Sequence, residues 1–426
     1  MSPPVARPKR KNPVLRTRQI NLPPAARSRV ALGLTTAAAM GRFELQQCAQ
    51  CQAVLYPPRE ACPRCASVRL PWRAQDGAGS LLAGTTLHHS NDLFFRERLP
   101  WRLGLVKLDA GPTLMVHLHS GAALPNGRDA TRVRVIARLD RAGQAVLIAT
   151  PPEDPSEDTT TMANDPMLRE MSNDPKLRKV LVTDGMTAVG QALVREFAKA
   201  GAELIWVGHA EPWKQHGSGL DTIASLPAVT LVPLDVTDGR SVQALAGEIG
   251  GKVDIVVNNA EVHRTFGIAA RRGTDVAKLE MEVNYFGALR LAQSFGPALA
   301  SRSADGTANA CAWVNLLSIY ALANFPPHGT YSASKAAAHS LAQCQRAELR
   351  GAGIRVVNVF PGPIDDAWNQ NMPPPKLAPA ALATAVMKAL RDGVEDVYPG
   401  DVAHEWFERW RDDPKVLERE LALGGA

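Results

Sequence analysis

Cysteine is scarce, with six in 426 residues, too few to frame a chain of this size with disulfides. Aromatic residues make up only 5%. None of them interleaves with the basic residues of the first thirty positions, so that stretch lacks a stacking surface for single-stranded nucleic acid. No apolar run approaches the roughly 18 residues of a membrane span. The basic, proline-rich start contains no apolar core of a secretory leader. A strong charge imbalance is also missing, since 48 Lys and Arg face 42 Asp and Glu for a net +6. Part of that excess sits in Arg7, Lys9, Arg10, Lys11, Arg16, Arg18, Arg27 and Arg29. Residues 1–26 are expected to be a disordered, solubilising tail rather than an arm for an anionic surface. A cytoplasmic chain with neither nucleic acid nor membrane as a partner is expected.

What is present suggests at least two domains, from length alone. Four of the cysteines cluster. Cys48-Ala-Gln-Cys51 and Cys62-Pro-Arg-Cys65 are separated by ten residues, and two such knuckles can deliver four thiolates to one tetrahedral zinc. All four positions are cysteine, so no coordination position is left open for catalysis and the metal reads as structural. A redox pair would need one such motif on a βαβ unit. Cys311 and Cys344 stand apart in apolar segments and are expected to be buried thiols. A short helix over Arg27–Phe43 precedes the cluster. Strand-like segments follow at Val68–Gln75, Ser80–Ser90, Leu103–Asp109, Thr113–Leu118, Thr131–Leu139 and Ala145–Thr150, broken by turn residues and without helices between them. That pattern predicts a small Greek-key barrel of OB type. His88, His89, His117 and His119 on these strands are expected to be surface or satisfied residues.

The order helix, ribbon with Tyr56-Pro57-Pro58-Arg59, then barrel with Gly77-Ala78-Gly79 resembles the zinc-ribbon/OB-fold proteins associated with acyl-CoA metabolism. The resemblance covers residues 27–150. It implies support of acyl-CoA binding or of a complex with thiolase-like or hydratase-like subunits.

Residues 151–177 shift to Pro, Asp, Glu and Thr, as an interdomain connector does. Within them Asn164-Asp165-Pro166-Met167-Leu168-Arg169 nearly repeats as Asn173-Asp174-Pro175-Lys176-Leu177-Arg178, and each copy is expected to start a helical turn. From residue 178 to 426 strand-like and helical stretches alternate, which predicts a doubly wound parallel sheet. On the helix Ser332–Leu349 and just before it, Tyr331 and Lys335 are spaced i, i+4, so phenol and ammonium share a face. A neighbouring cation lowers a tyrosine pKa from about 10. Ser318, thirteen residues earlier, is placed to steady the same oxygen. Such a group exchanges protons with a substrate hydroxyl.

These residues, with the strand ends before them, resemble the short-chain dehydrogenase/reductase family over residues 178–405. The resemblance rests on Asp235-Val236, Asn258-Asn259-Ala260, Asn284, Ser318, Tyr331, Lys335 and Pro361-Gly362-Pro363-Ile364. It implies a Rossmann-type fold and a catalytic set of Asn284, Ser318, Tyr331 and Lys335. It further implies a cofactor cleft built from Thr183, Gly185, Val189, Gly190, His209, Asp235, Val236, Asn258, Ala260, Pro361, Gly362 and Ile364, with Tyr331 and Lys335 at the reacting end. The first turn departs from the family pattern. It reads Thr183-Asp184-Gly185-Met186-Thr187-Ala188-Val189-Gly190, with Asp184 and Ala188 where glycines are usual. Glu261 likewise replaces a glycine after Asn-Asn-Ala, and Asp366 stands where a threonine is common. Each added carboxylate disfavours an anionic cofactor. At the end of the second strand His209 favours NADP and Glu211 favours NAD, so the choice between NAD and NADP stays open.

Two functions follow as expectations. One is an NAD(P)-dependent oxidoreductase interconverting a hydroxyacyl-CoA and a ketoacyl-CoA, of 3-hydroxyacyl-CoA dehydrogenase type, carrying an amino-terminal acyl-CoA or thiolase-docking module. The other is a non-catalytic scaffold subunit with a decayed cofactor site. Self-association through the dehydrogenase domain is expected in either case. The run Ala403–Leu423 is expected to be helical, with Trp406, Phe407 and Trp410 as packing residues.

Overall fold

The computed structural model describes residues 22–125 except 26, then 130–152, 165, 169, 172–210, 218–264, 267–304 except 271, and 311–423. The basic tail, Glu211 and most of the first Asn-Asp-Pro copy lie outside the described residues. Two compact units divide between Asp174 and Pro175.

In the first unit a short helix α1 (Leu32–Ala39) leads into a three-stranded sheet of β1 (Glu44–Gln47), β2 (Val54–Leu55) and β3 (Trp72–Ala74), in order β2-β1-β3. The stretch expected to open the barrel, Val68–Gln75, therefore contributes β3 to the ribbon, where it pairs antiparallel with β1. A strand three residues long finds its hydrogen bonds in the nearer hairpin. The barrel is closed in the order β4-β5-β6-β8-β7, from β4 (Ala78–Leu87), β5 (Trp101–Leu108), β6 (Thr113–Leu118), β7 (Thr131–Leu139) and β8 (Ala145–Thr150). Closure through a parallel β6–β8 pair gives the OB topology. The one-turn helix α2 (Leu93–Arg96), capped by Asp92, interrupts the otherwise helix-free run. Inward residues alternate along the strands, as in Leu114, Val116, Leu118 and in Val133, Val135, Ala137, Leu139, all buried. Each large one is worth roughly 1.5–3 kcal/mol of burial. Gly77 has φ +78°, and a Cβ there would meet the Val135 carbonyl oxygen at 2.1 Å. This position requires glycine.

The second unit is a seven-stranded sheet in the order β11-β10-β9-β12-β13-β14-β15, parallel throughout. Its strands are β9 (Lys179–Val182), β10 (Leu204–His209), β11 (Val229–Pro233), β12 (Ile255–Asn258), β13 (Ala312–Leu316), β14 (Arg355–Val359) and β15 (Asp396–Val397). The connecting helices are α3 (Ala188–Lys199), α4 (Ser218–Ala224), α5 (Gly239–Ile249), α6 (Asp275–Met281), α7 (Ala288–Ala304), α8 (Gly329–Arg350) and α9 (Pro379–Asp392), with α10 (Asp401–Asp412) and α11 (Pro414–Ala422) at the end. Central strands are buried on both faces, as β13 and β14 are throughout, which is why they read as apolar runs. The sheet order reverses between β9 and β12, and it is beyond the strand ends at such a point that doubly wound sheets bind their ligands. The second Asn-Asp-Pro copy makes a turn ahead of β9 rather than a helical start. The terminal helical run is two helices, because Asp413 caps α11 and Pro414 opens it. Trp406 and Phe407 are buried, with Trp406 against Tyr320 and Phe325. Cys311 is buried as expected, whereas Cys344 is exposed on α8. Among the described residues no helix is long and apolar enough to cross a membrane.

Candidate active site and candidate metal centre

The four ribbon cysteines come together. Sγ of Cys48 lies 3.5 Å from that of Cys65, Cys51 and Cys62 are also 3.5 Å apart, and all four sulfurs fall within 4.8 Å of one another. Four sulfurs about 2.3 Å from a tetrahedral zinc would be spaced about 3.8 Å apart, so this donor set fits zinc. Backbone N–H groups support it. Bonding to the Cys51 amide pulls the Cys48 thiol down to about 6, and bonding to the Arg64 amide lowers that of Cys62. Both favour the thiolate a metal requires. Gln46 clamps the outer loop by bonding both the N–H and the carbonyl of Arg59. Among the described residues this is the only group of three or more metal-ligating side chains. Two of the barrel histidines are engaged in hydrogen bonds. His117 accepts from the Trp101 indole at 2.8 Å, and His119 from the Gly121 amide at 3.0 Å.

In the second unit the switch point is tied together by side chains. Thr183 Oγ1 accepts from the amides of Asn259 and Ala260, and Asn259 Nδ2 donates to the Asp184 carbonyl. A Cβ at Gly190 would stand 1.8 Å from the Asp184 oxygen, so the turn can close only with glycine at that position. Thr187 caps α3 through the Gly190 amide, Val189 is buried in its first turn, and the amide of Gly185 bonds Gly208. Ala188, where a glycine is usual, is the exposed first residue of α3. Asp184 turns its carboxylate back onto the Met186 amide at 2.8 Å, and burial, with the charge of Glu261 adding, pushes its pKa up to about 6.

His209 is buried at the end of β10. Asp235 folds its carboxylate onto Thr237, and Val236 packs against Gly287. Asn258 ends β12 in register with Asn315. In the loop after β14, the Pro361 carbonyl accepts from the Ile319 amide, Gly362 passes close to Val402, and Ile364 bridges to Leu377. Asp366 caps the next turn through the amides of Trp368 and Asn369.

Tyr331, Lys335 and Ser318 do meet. Tyr331 and Lys335 share the buried face of α8, and Ser318, two residues beyond β13, lies near enough to the phenol to work against the rise of its pKa. Asn284 lies in a π-helical turn, Glu282–Gly287, a feature common at functional sites. Its side chain is spent on positioning, because it bonds both backbone groups of Val262 and the Ser334 hydroxyl.

Glu261 changes the electrostatics expected from the sequence. Its Oε2 lies 2.6 Å from Lys335 Nζ and accepts from the Tyr331 hydroxyl at 3.1 Å. Lys335 Nζ also donates to the Leu316 carbonyl at 3.0 Å. Burial and then the Glu261 charge raise the Tyr331 pKa well above 10. The cation expected to favour phenolate is neutralised by the carboxylate beside it. Burial works against the Glu261 charge, but the Lys335 ammonium and the hydrogen bonds from Lys335 and Tyr331 outweigh it and hold that pKa below the usual range.

Sequence reading missed one more pair. His263 stacks on the Tyr331 ring at 4.0 Å and hydrogen-bonds His328. Both are buried, and burial lowers each to about 4. They are neutral imidazoles. Sixty-five residues separate them, and no local pattern links them.

The fold and this constellation define a short-chain dehydrogenase/reductase domain, and the chain belongs to that family. A family profile for short chain dehydrogenase matches residues 178–376. Two others match the first unit, the rubredoxin-like zinc ribbon of ChsH2 over residues 35–69 and the carboxy-terminal OB-fold of ChsH2 over residues 72–140. The chain is 30% identical over 207 residues to 1-deoxy-11-beta-hydroxypentalenate dehydrogenase of Streptomyces exfoliatus, covering 47% of this chain and 72% of that protein. It is 30% identical over 215 residues to a dehydrogenase/reductase SDR family protein 7-like of Anopheles gambiae, covering 48% of this chain and 65% of that one. The chain thus spans somewhat under two thirds of the length of several curated relatives it matches. A short chain dehydrogenase of Burkholderia cenocepacia, solved in complex with NADP, superposes with TM-score 0.52 at 32% identity, over 58% of this chain and 98% of that one.

Proposed function

We propose that the second unit is a nicotinamide-dependent oxidoreductase and that the first is an accessory module for its acyl-CoA substrate. The observation that carries the reading is the meeting of Tyr331, Lys335 and Ser318 beyond the strand ends of a doubly wound sheet. The cleft suits a dinucleotide along its phosphate half, where the Gly185 and Gly190 turn and the amino terminus of α3 stand at the switch point. It suits the other half once the Glu261 side chain swings off Lys335. Lys335 would then hold ribose hydroxyls, and His209 and Asp235 would stand at the adenosine end. NADP is the cofactor held by the Burkholderia cenocepacia relative; NAD remains the alternative. A bound nicotinamide would supply hydride transfer to or from the substrate carbon.

The chain's own part is the proton. Ser318 and Tyr331 bond the substrate oxygen, and Tyr331 Oη gives its proton to a carbonyl oxygen during reduction or receives one from a hydroxyl during oxidation. Lys335 steadies the charge on the phenol oxygen. Asn284 fixes the loop at Val262 against α8. Profiles of ChsH2 type in the first unit support a 3-hydroxyacyl-CoA and 3-ketoacyl-CoA pair as substrate and product. The ribbon is held by one structural zinc, a thiolase-type subunit is the partner, and the second unit self-associates in the cytoplasm. Residues 27–150 and 178–426 are the two domains, joined by 151–177.

The test is titration with NAD(H) and NADP(H), followed by assay of a panel of 3-hydroxyacyl-CoA esters beside Tyr331→Phe. Turnover that Tyr331→Phe abolishes supports the reading; no nucleotide binding at millimolar concentration sinks it. One observation favours the scaffold reading instead. The phenol and the ammonium already satisfy each other through Glu261, as they would in a site no longer used.

A further inference from the structure

A phenol has one proton to donate, and that of Tyr331 is donated to Glu261. While this bond stands, Tyr331 cannot donate to a substrate oxygen. Lys335 is in the same position. Two of its three donors go to Glu261 Oε2 and the Leu316 carbonyl, and its side chain is 2% exposed against 18% for Glu261. The carboxylate is therefore the outer group. It caps the ammonium from the side a ligand would approach.

Glu261 does not serve equally well as a base behind Tyr331. The carboxyl is held below its ordinary range and the phenol well above its own, so the proton stays on the phenol. Nor does the surrounding charge call for the carboxylate as a counter-ion alone. Asp184 and Asp366 are both pushed up, by burial first and by the Glu261 charge in addition.

We propose that Glu261 is a built-in occupant of the Tyr331–Lys335 pair, and that the hydroxyl-bearing end of a nucleotide binds only by displacing it, so that residue 261 sets the nucleotide affinity of this chain. The proposal rests on the reading of the cleft as a dinucleotide site. Displacement exchanges a charged acceptor for neutral hydroxyls on a buried cation, an exchange that weakens binding. A glycine at 261 removes the competitor and leaves space for the ribose. A glutamine keeps the shape but removes the charge.

The experiment measures dissociation constants of NADPH and NADP for the full chain, as wild type, Glu261→Gly and Glu261→Gln. Nicotinamide fluorescence and calorimetry give the readout, with melting temperatures taken without ligand. At least tenfold tighter binding by Glu261→Gly is expected, with Glu261→Gln between it and wild type. A lower ligand-free melting temperature is expected for both variants, since Lys335 loses its partner. Glu261→Gln is near-isosteric and guards against a glycine variant that fails to fold. Equal affinity in all three proteins overturns the displacement and leaves the dinucleotide reading standing. Weaker binding by the variants also overturns it, and makes Glu261 a nucleotide ligand. Binding by none of the three removes both.

Discussion

In the ribbon, four thiols face one another with no other side chain among them; in the dehydrogenase cleft, a phenol and an ammonium face one another with a carboxylate already between them. Both are convergent polar sites, the first on the loops of the ribbon and the second where the loop after β12 meets α8. The first has donors and no internal acceptor, so a cation completes it. The second is complete without a ligand, so anything that binds must first break a buried ion pair. Separating such a pair without compensation costs on the order of 3–5 kcal/mol. An incomplete constellation advertises its ligand, whereas a self-satisfied one conceals its own.

The contrast breaks most severely at the metal. About one zinc per chain is expected by elemental analysis, and Cys48→Ser or a strong chelator should abolish the ribbon fold, read as loss of its dispersed amide resonances. Free titration of all four thiols in the folded, metal-free protein would contradict this. Next in size is Tyr331→Phe, expected to lower turnover of a hydroxyacyl-CoA ester by about 10²–10⁴-fold with nucleotide affinity nearly kept. Unchanged turnover would remove Tyr331 from the chemistry.

A third prediction concerns acid. His263 and His328 titrate near 4 in the folded protein because burial disfavours their charged forms, against about 6.5 when unfolded. Between those values the unfolded chain binds more protons, so stability falls as the pH drops from 6.5 toward 4. The slope approaches about 1.4 kcal/mol per pH unit for each histidine. The groups around them include Glu261, Lys335 and Arg264. Denaturation by urea across that window is the check, and a flat profile would mean the pair is not neutral.

Smallest is Asp184→Asn. The Asp184 pKa is raised by burial to about 6, so the folded state holds the extra proton between roughly 4 and 6 and stability is lost as the pH rises through that window. Asparagine keeps the bond to the Met186 amide without the charge. A modest gain in melting temperature at pH 8, absent at pH 4, is expected, together with tighter binding of an anionic nucleotide.

Much of this was legible in the residues. The i, i+4 spacing of Tyr331 and Lys335 fixes them on one helical face whatever the tertiary structure does, and paired Cys-x-x-Cys knuckles bring their own geometry. Alternating strand and helix patterns carried the sheet, and short strand-like segments broken by turn residues carried the barrel. What was not legible depends on approach between distant segments. Glu261 could be seen as a carboxylate in place of glycine. That it reaches Lys335 depends on how the loop after β12 lies over α8. Asp366 raised the same concern from sequence, but its carboxylate folds back onto the Trp368 and Asn369 amides. The Cys344 thiol was expected inside because its neighbours are apolar, yet a helix with one exposed face places it outside.

The most direct test is a crystal structure of the full chain with NADPH. The account predicts ribose hydroxyls on Lys335 Nζ, the Tyr331 hydroxyl released, and the Glu261 carboxylate swung out of the cleft. Bound nucleotide with the Glu261–Lys335 pair still at 2.6 Å would contradict it.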